Sequence, residues 1–525
     1  MSNGRFVILL LFALSTLALV AQVLIDFSTV NLASTCMVYA SSVVLLLYLL
    51  WTPSIYTHPV STYAILGFCV TTQMGALLGQ TAFGTSLALN LRQPLGTFST
   101  LAVAQVLALV AHTGYRYLLN PANSTGPGLW GVPRLFLNKL GLYQAPGTGA
   151  LWLMGYVGLF SFLIGNGRDG VVFKVFEGIG FLTWAPYLIP MYLLLQGPSY
   201  CNPRRQYPHL LFFMGLVVLL GLAANARVII LSGFVTIGLF AFLLVIRSQT
   251  RVRVAQVFKI AFVAAALAVM AIPVSDLATA MVVARKARGF VSAPQMVQET
   301  FRYATQPEAL EAEKNRQRLA TSSQYDEFYF ENPLVARLVE TKFHDNALYF
   351  ASTLTNSDVD LLIETSLKMM AVLLPQPLIN ILGWRIDKQE LEFSMGDYLS
   401  HLSTGSALGG YRTGSMLGHS VAVFGVGWML FYFVGCLVAF AMLDLLSYRT
   451  ANGQVVLTAV VMLGLWKIFQ NGLAAESMHN WFGYFVRTLP QNTVIFLAFA
   501  FLARVPGLLR GGNKRRPAPT QPLPG

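Results

Sequence analysis

Four short stretches hold the residues whose types and spacing could do chemistry. "ARVIILSGFVTIG" sets Arg227 at the start of an apolar run, with Gly238 three helical turns on, about 20° from the same face. "GGYRTGSMLGHSVAVFGVGWMLFYFVG" places Arg412 and His419 seven residues apart on one helical face. Its glycines Gly410, Gly414 and Gly418 recur at every fourth position, and Gly425 follows. If helical, these glycines form a smooth stripe for close packing, as Gly238 would in its own helix. "RLVETKFHDNALYF" gathers Arg337, His344 and Asp345 within two turns, and "AESMHNWFGYFVRTLPQ" brings His479 and Arg487 beside aromatic residues. Lys467 lies within an apolar run, where an ionisable group is a functional candidate.

The chemistry these types allow is specific. A guanidinium fork binds phosphate oxygens bidentately and stays charged at any working pH. A histidine near neutral pKa can take a proton from a hydroxyl. Together they suit displacement of a lipid diphosphate by a sugar hydroxyl, with no metal and no cofactor. There is no Walker loop, HExxH, CxxC or GxSxG with triad partners, and the seven histidines are scattered rather than set at ligand spacing. An ATP-driven pump or a zinc protease is disfavoured. Each stretch also has a plain reading. Arg227 could snorkel to headgroups, Arg412 could be loop, His419 a satisfied interfacial residue, and the Arg337–His344 face a solvated helix surface.

The elements that must position these residues are membrane helices. Of 525 residues, 55% are apolar and 11% charged, and the mean hydropathy is +0.60. Continuous apolar runs of roughly 20 residues match a bilayer's hydrocarbon thickness. They predict an all-α polytopic protein of about 12 transmembrane helices, centred near residues 15, 42, 73, 108, 158, 186, 216, 237, 269, 430, 463 and 497. The first run reads as a retained helix rather than a cleaved signal.

The net charge of +13 reflects topology rather than nucleic acid. With both termini inside, the inner segments hold Arg5, Arg116, Arg134, Lys139, Arg204, Arg205, Arg247, Arg251, Arg253, Lys259 and Arg449, whereas the short outer loops hold Arg92, Arg168, Lys174 and Arg227. The expected organisation is helices 1–9 over residues 1–280, a large helical outer loop over 281–408, helices 10–12 over 409–505, and a disordered inner tail over 506–525. The loop is too long and too patterned for a linker. It contains none of Cys36, Cys69, Cys201 and Cys436, so no disulfide framework is expected there.

With those residues in view, the chain resembles the O-antigen polymerase (Wzy-type) family of polysaccharide polymerases, related to the O-antigen ligases. The likeness lies in the many helices, the large late outer loop, and the motifs between about residues 210 and 500. Arg227 and Gly238 match the family's arginine–glycine pattern. Gly418, His419, Phe424 and Gly425 are similar to its re-entry helix, and "LLPQPLINILGWRIDK" and "VRTLPQ" to its proline-rich and post-loop segments. A second arginine–glycine motif fails, because Val423 stands where Arg412 would need its glycine.

The resemblance implies a GT-C-like glycosyltransferase of the bacterial inner membrane, working at the periplasmic face. It would polymerise undecaprenyl-diphosphate-linked oligosaccharide repeat units into O-antigen or exopolysaccharide. Its partners would be the lipid-linked glycan donor and acceptor, membrane lipids and, as a candidate, a chain-length regulator protein. In that reading Arg227, with Arg412 or Arg487, stabilises the diphosphate. His419 or His344 deprotonates the acceptor, while Arg337 and His479 complete the substrate surface. A ligase joining glycan to lipid A core is the nearest rival. A flippase or transporter, from another class, would show paired halves or broken helices. A prenyl-phosphate sugar transferase would want an acidic pair in the first outer loop, where only Asp26 stands.

Overall fold

The computed structural model describes residues 2–119, 131–165, 176–248, 275–284, 291–319, 327–330, 332–374, 376–384, 386–388, 390–449 and 455–505. The expected ninth span near residue 269, the basic residues 251–259, Arg168, Lys174 and the tail 506–525 lie outside them. A backbone crossing hydrocarbon must satisfy its own polar groups, which leaves helices as the form for these continuous apolar runs. Among the described residues, nine helices are long and apolar enough to cross a membrane. The chain is thus an all-α, multi-pass membrane protein. The first four spans are Asn3–Ile25, Thr29–Trp51, Pro59–Ala82 and Pro94–Leu119. They are followed by Phe176–Ser199, Pro203–Ala223, Arg227–Arg247, Met416–Leu445 and Met478–Leu502. Shorter apolar helices cover Thr148–Ile164 and Ser275–Ala284. The expected span near 463 is broken into Ala459–Leu463 and Leu465–Asn471.

Two faces can be told apart. One carries the long segment before Met416, called the loop face here. The other carries the short hairpin Ser447–Arg449/Val455–Leu457, called the hairpin face. The third span runs through the centre: every residue from Pro59 to Cys69 is buried. The second and fourth spans, Trp428–Leu445 and Leu465–Asn471 all pack on it. Halfway along, a π-turn at Val70–Met74 widens the helix. Such a turn leaves carbonyls open to outside donors, and Thr71 O accepts the Glu340 N–H (2.8 Å) while Thr72 O accepts the Thr341 hydroxyl (2.7 Å).

The helix that docks there, Thr341–Ser352, belongs to the long segment between spans. The sequence offers it as a solvated face, yet Thr341 through Leu348 and Phe350 are buried. It starts at the mid-depth of the third span and ends at the loop face, where Asp345 meets the beginning of the fourth. The large loop therefore drives a polar helix, called the wedge helix below, into the membrane body. Non-helical or polar chain at that depth is tolerated where protein encloses it.

The expected glycine stripe divides. The tenth helix begins at Met416, capped by the Ser415 side chain, so Gly410 and Gly414 precede it rather than lie on it. Gly414 is still tight, since a Cβ there would come 2.6 Å from Glu476 O. Gly418 is the true close contact: its Cβ would lie 2.6 Å from Ala347 Cβ and 2.8 Å from Ala347 C on the wedge helix. Gly425 ends the helix at φ +52, and among the described residues nothing lies within 4 Å of a Cβ placed there or at Gly238. Hence Gly418→Ala should destabilise the protein by about 1–3 kcal/mol through overpacking. Gly238→Ala should raise stability by up to about 1 kcal/mol through helix propensity. Melting curves of the two purified variants in detergent, run side by side, check the contrast.

Candidate functional site

The wedge helix collects the polar residues of the loop face. Asp345 is fully buried and anchors it. Its Oδ2 accepts from the Arg92 N–H (2.7 Å), and its Oδ1 accepts from the Gln93 N–H (2.9 Å) and the Thr97 hydroxyl (3.0 Å). The Lys342 ammonium, also buried, lies 4.0 Å from Asp345 and donates to Asn90 O. The Arg92 guanidinium stacks over Tyr349 at 4.7 Å and Phe350 at 5.1 Å. Asn90 takes a left-handed turn (φ 63) that lets its carbonyl meet the lysine.

His344 and Glu340 lie one turn apart on the wedge, the His344 N–H donating to Glu340 O (3.3 Å). The His344 Nδ1 is 2.6 Å from Ser415 Oγ, which also caps the Met416 helix by accepting from the Gly418 N–H (3.2 Å). Its buried Nε2 has no hydrogen-bond partner among the described residues. Burial pushes the His344 imidazolium down to about 4, so the ring is neutral at physiological pH. Glu340 Oε1 accepts from Asn471 Nδ2 (3.2 Å), and Gln470 also hydrogen-bonds to the carboxyl. Burial, reinforced by the neighbouring Glu476 charge, pushes the Glu340 carboxyl up to about 8, against hydrogen bonds from Gln470 and Asn471 and the charge of Lys467. Two buried titratable groups one turn apart are thus shifted in opposite senses, each chiefly by burial.

His419 belongs to the same junction, with both nitrogens engaged. Its Nδ1 accepts from the Met478 N–H (3.4 Å), which places the ring proton on Nε2, directed at Ser366 Oγ (2.7 Å). The Ser366 hydroxyl in turn donates to Leu362 O (2.6 Å). His419 thus joins the helices Asn356–Val372, Met416–Phe424 and Met478–Gly483. His479 sits at the start of the last of these, its Nδ1 3.0 Å from Ser477 Oγ.

The arginines are carried by separate elements. Arg412 is on the segment leading to Ser415. Its Nη1 donates to Ser400 Oγ (3.1 Å) and Ser406 Oγ (2.6 Å), and its Nε is 3.9 Å from Asp397 Oδ1. The buried Asp397 also accepts from the backbone N–H groups of Tyr411 (2.6 Å) and Arg412 (3.1 Å), holding Tyr411 at a left-handed φ of 50. Gly410 lies against this carboxylate, 3.1 Å from the position of a Cβ. Arg227 opens its span after the turn at Asn225, whose side chain reaches Met296 Sδ (3.8 Å). Arg487 is exposed on the π-turn Tyr484–Thr488. Arg337 is in the helix Pro333–Leu338, and its side chain lies outside the described residues.

The structure therefore brings together His344, His419 and His479, with Arg412 on the adjoining strand of chain. Glu340, Lys342, Ser366, Ser415 and Arg92 were missed by the sequence reading. One signal was available: four of the six residues Glu340–Asp345 are ionisable in a stretch bounded by apolar residues. Among the described residues, no three His, Cys, Asp or Glu side chains gather as a metal-ligand set.

Fold and site define a multi-pass, all-α membrane protein with buried titratable side chains on a polar helix packed among its spans. Comparison with protein-family models, with curated proteins and with solved structures gave no match.

Proposed function

We propose that the chain is a glycosyltransferase that polymerises undecaprenyl-diphosphate-linked repeat units at the non-cytosolic face of a bacterial inner membrane. What carries this reading is the Glu340–His344 pair. A large polar segment carries these two groups in among the membrane helices, and both are buried. In the step proposed, an acceptor hydroxyl oxygen bonds to the anomeric carbon of the donor. The anomeric C–O bond to the diphosphate breaks, its electron pair leaves on the phosphate oxygen, and the hydroxyl proton passes to the Glu340 carboxylate. His344 Nε2 orients the hydroxyl. Arg412, fixed by Ser400 and Ser406, answers the diphosphate charge, while Arg227 and Arg487 meet headgroup phosphates. The basic hairpin face, with Arg116, Arg134, Arg204 and Arg205, supports a cytosolic assignment for that side.

The test is a gel of lipid-linked and lipid A-linked glycans from the native host lacking the gene and complemented with variants. Loss of the ladder with one repeat unit retained supports a polymerase, and Glu340→Gln and His344→Ala should fail to restore it. An unchanged ladder in the deletion strain overturns the reading. A ladder that forms but never reaches lipid A means a ligase. A second reading has its own observation in favour. The helix breaks at Gly425 and Gly464 and the loop after Asn471 interrupt membrane helices, as in the substrate sites of transporters. It would appear as repeat units that accumulate, unpolymerised, on the cytosolic leaflet.

A further inference from the structure

At the hairpin face, outside the spans, lies the nine-residue helix Gly131–Lys139, which has no buried residue. Its inner side is held at two points. Leu137 packs against the main core, and Arg134 Nη2 donates to Asp444 O (2.9 Å) in the last turn of the span Met416–Leu445. The chain that follows docks beside it. Tyr143 OH donates to Leu445 O (2.8 Å), and the Arg504 guanidinium, just past the end of the last span, lies 3.0 Å from the position of a Cβ on Gly141. Gly141 turns the chain there at φ +84, which glycine adopts without strain. The helix is thereby fixed level with the ends of two spans, where hydrocarbon gives way to headgroups.

The outer side of this helix is apolar. Val132, Leu135, Phe136 and Lys139 follow the spacing of a single helical face, and all four are exposed, Val132 by 75%, Leu135 by 62% and Phe136 by 61%. A contiguous apolar face of this kind marks contact with a protein or with a membrane. Two observations favour the membrane. The face continues into surface that spans turn outward: Leu140 is exposed next along the chain and, across Gly141, so are Phe501 and Leu502 of the last span. The span that Arg134 touches likewise exposes Leu430, Val434 and Val438 along one side. The second observation is charge. Lys139, Arg504, Arg204 and Arg205 are exposed on the hairpin face. No Asp or Glu occurs between Asp26 and Asp169, and Asp444 is buried. An apolar helical face with bases beside it and no exposed acid suits a helix lying in the plane of an anionic leaflet.

We infer that Gly131–Lys139 is an interfacial helix that binds anionic lipid in the leaflet at the hairpin face. Val132, Leu135 and Phe136 enter the boundary of the acyl chains. Lys139 lays its stem along the same face and sets its ammonium among the lipid phosphates, with Arg504 alongside. Because Arg134 and Gly141 tie the helix to two spans, lipid held here anchors the ends of those spans to the leaflet. The inference rests on the membrane spans and on neither reading of the protein's function.

The experiment uses the full chain carrying Phe136→Trp, in liposomes of phosphatidylcholine and phosphatidylglycerol with one lipid at a time brominated on its acyl chains. Emission from the eight native tryptophans, measured in the wild type under the same lipids, is subtracted. The new indole should be quenched, and more by bromines near the headgroup than by bromines near the chain end. Brominated phosphatidylglycerol should quench about fivefold more effectively than brominated phosphatidylcholine, the preference that one basic side chain gives at an anionic surface. Adding Lys139→Gln should bring the two lipids close to parity while the quenching itself remains. Both substitutions fall at exposed positions, and a size-exclusion profile matching the wild type checks the fold. An indole quenched by neither brominated lipid but by aqueous acrylamide would place this face in water, open to a protein partner, and overturns the inference. Equal quenching by the two lipids before Lys139 is changed overturns the anionic preference.

Discussion

Asp345→Ala is expected to cost roughly 3–5 kcal/mol of stability, the range found when one partner of a buried charged network is removed. The magnitude follows from what the carboxylate holds. Two backbone N–H groups and the Thr97 hydroxyl lose their acceptor at once, and each buried donor so stranded costs about 1–3 kcal/mol. The Lys342 ammonium, 4% exposed, loses its nearest counter-charge at the same time. Asp345→Asn should do less harm, since one oxygen still accepts while the new NH2 confronts an N–H. The order wild type, Asn, Ala in thermal midpoint, read by intrinsic fluorescence in detergent, checks the argument. An Ala variant that melts with the wild type would show that Asp345 does not pin the wedge helix.

That same residue shows what was legible in the sequence and what was not. The spans were legible, because continuous apolar runs of bilayer length have few other forms, and those falling on described residues recur as helices. The wedge helix was not. "TKFHDNALYF" has the composition of a solvated face, and nothing local reveals that Thr71 and Thr72 lie opposite with open carbonyls. The contact between residues 71 and 340 is a matter of tertiary structure, invisible to helical periodicity. The glycines teach a related lesson. Gly418 and Gly238 read alike in an apolar run, but Ala347 lies against the first and, among the described residues, nothing lies against the second. Candidate histidines could be named from residue type, whereas which nitrogen is occupied depends on Ser366, Ser415 and Met478, each distant in sequence. The arginines were weighed as one group because they share a chemistry, and the structure distributes them over separate elements.

Glu340→Gln is expected to make the protein inactive and more stable, with the gain in stability growing as pH rises. An unfolded chain ionises this carboxyl near the ordinary glutamate value of 4.5, whereas the folded protein holds its proton to about 8. Between those values the unfolded state binds fewer protons than the native one. The wild type therefore loses stability as pH climbs through that window, and the loss is complete above the folded pKa. Glutamine keeps the shape, still accepts from Asn471, and has no charge to bury, so it escapes the penalty. Melting wild type and variant at pH 4.5, 6 and 8 should show midpoints that coincide at the acid end and separate progressively toward the alkaline one. The groups that act on Glu340, namely Glu476, Lys467, Gln470 and Asn471, remain in the variant, and the difference isolates the one carboxyl. A gap that is constant with pH would mean that the carboxyl titrates normally and that its position at the π-turn is not dry. Loss of long-chain glycan in the same variant, from a protein that is better folded than the wild type, would separate chemistry from folding in one measurement.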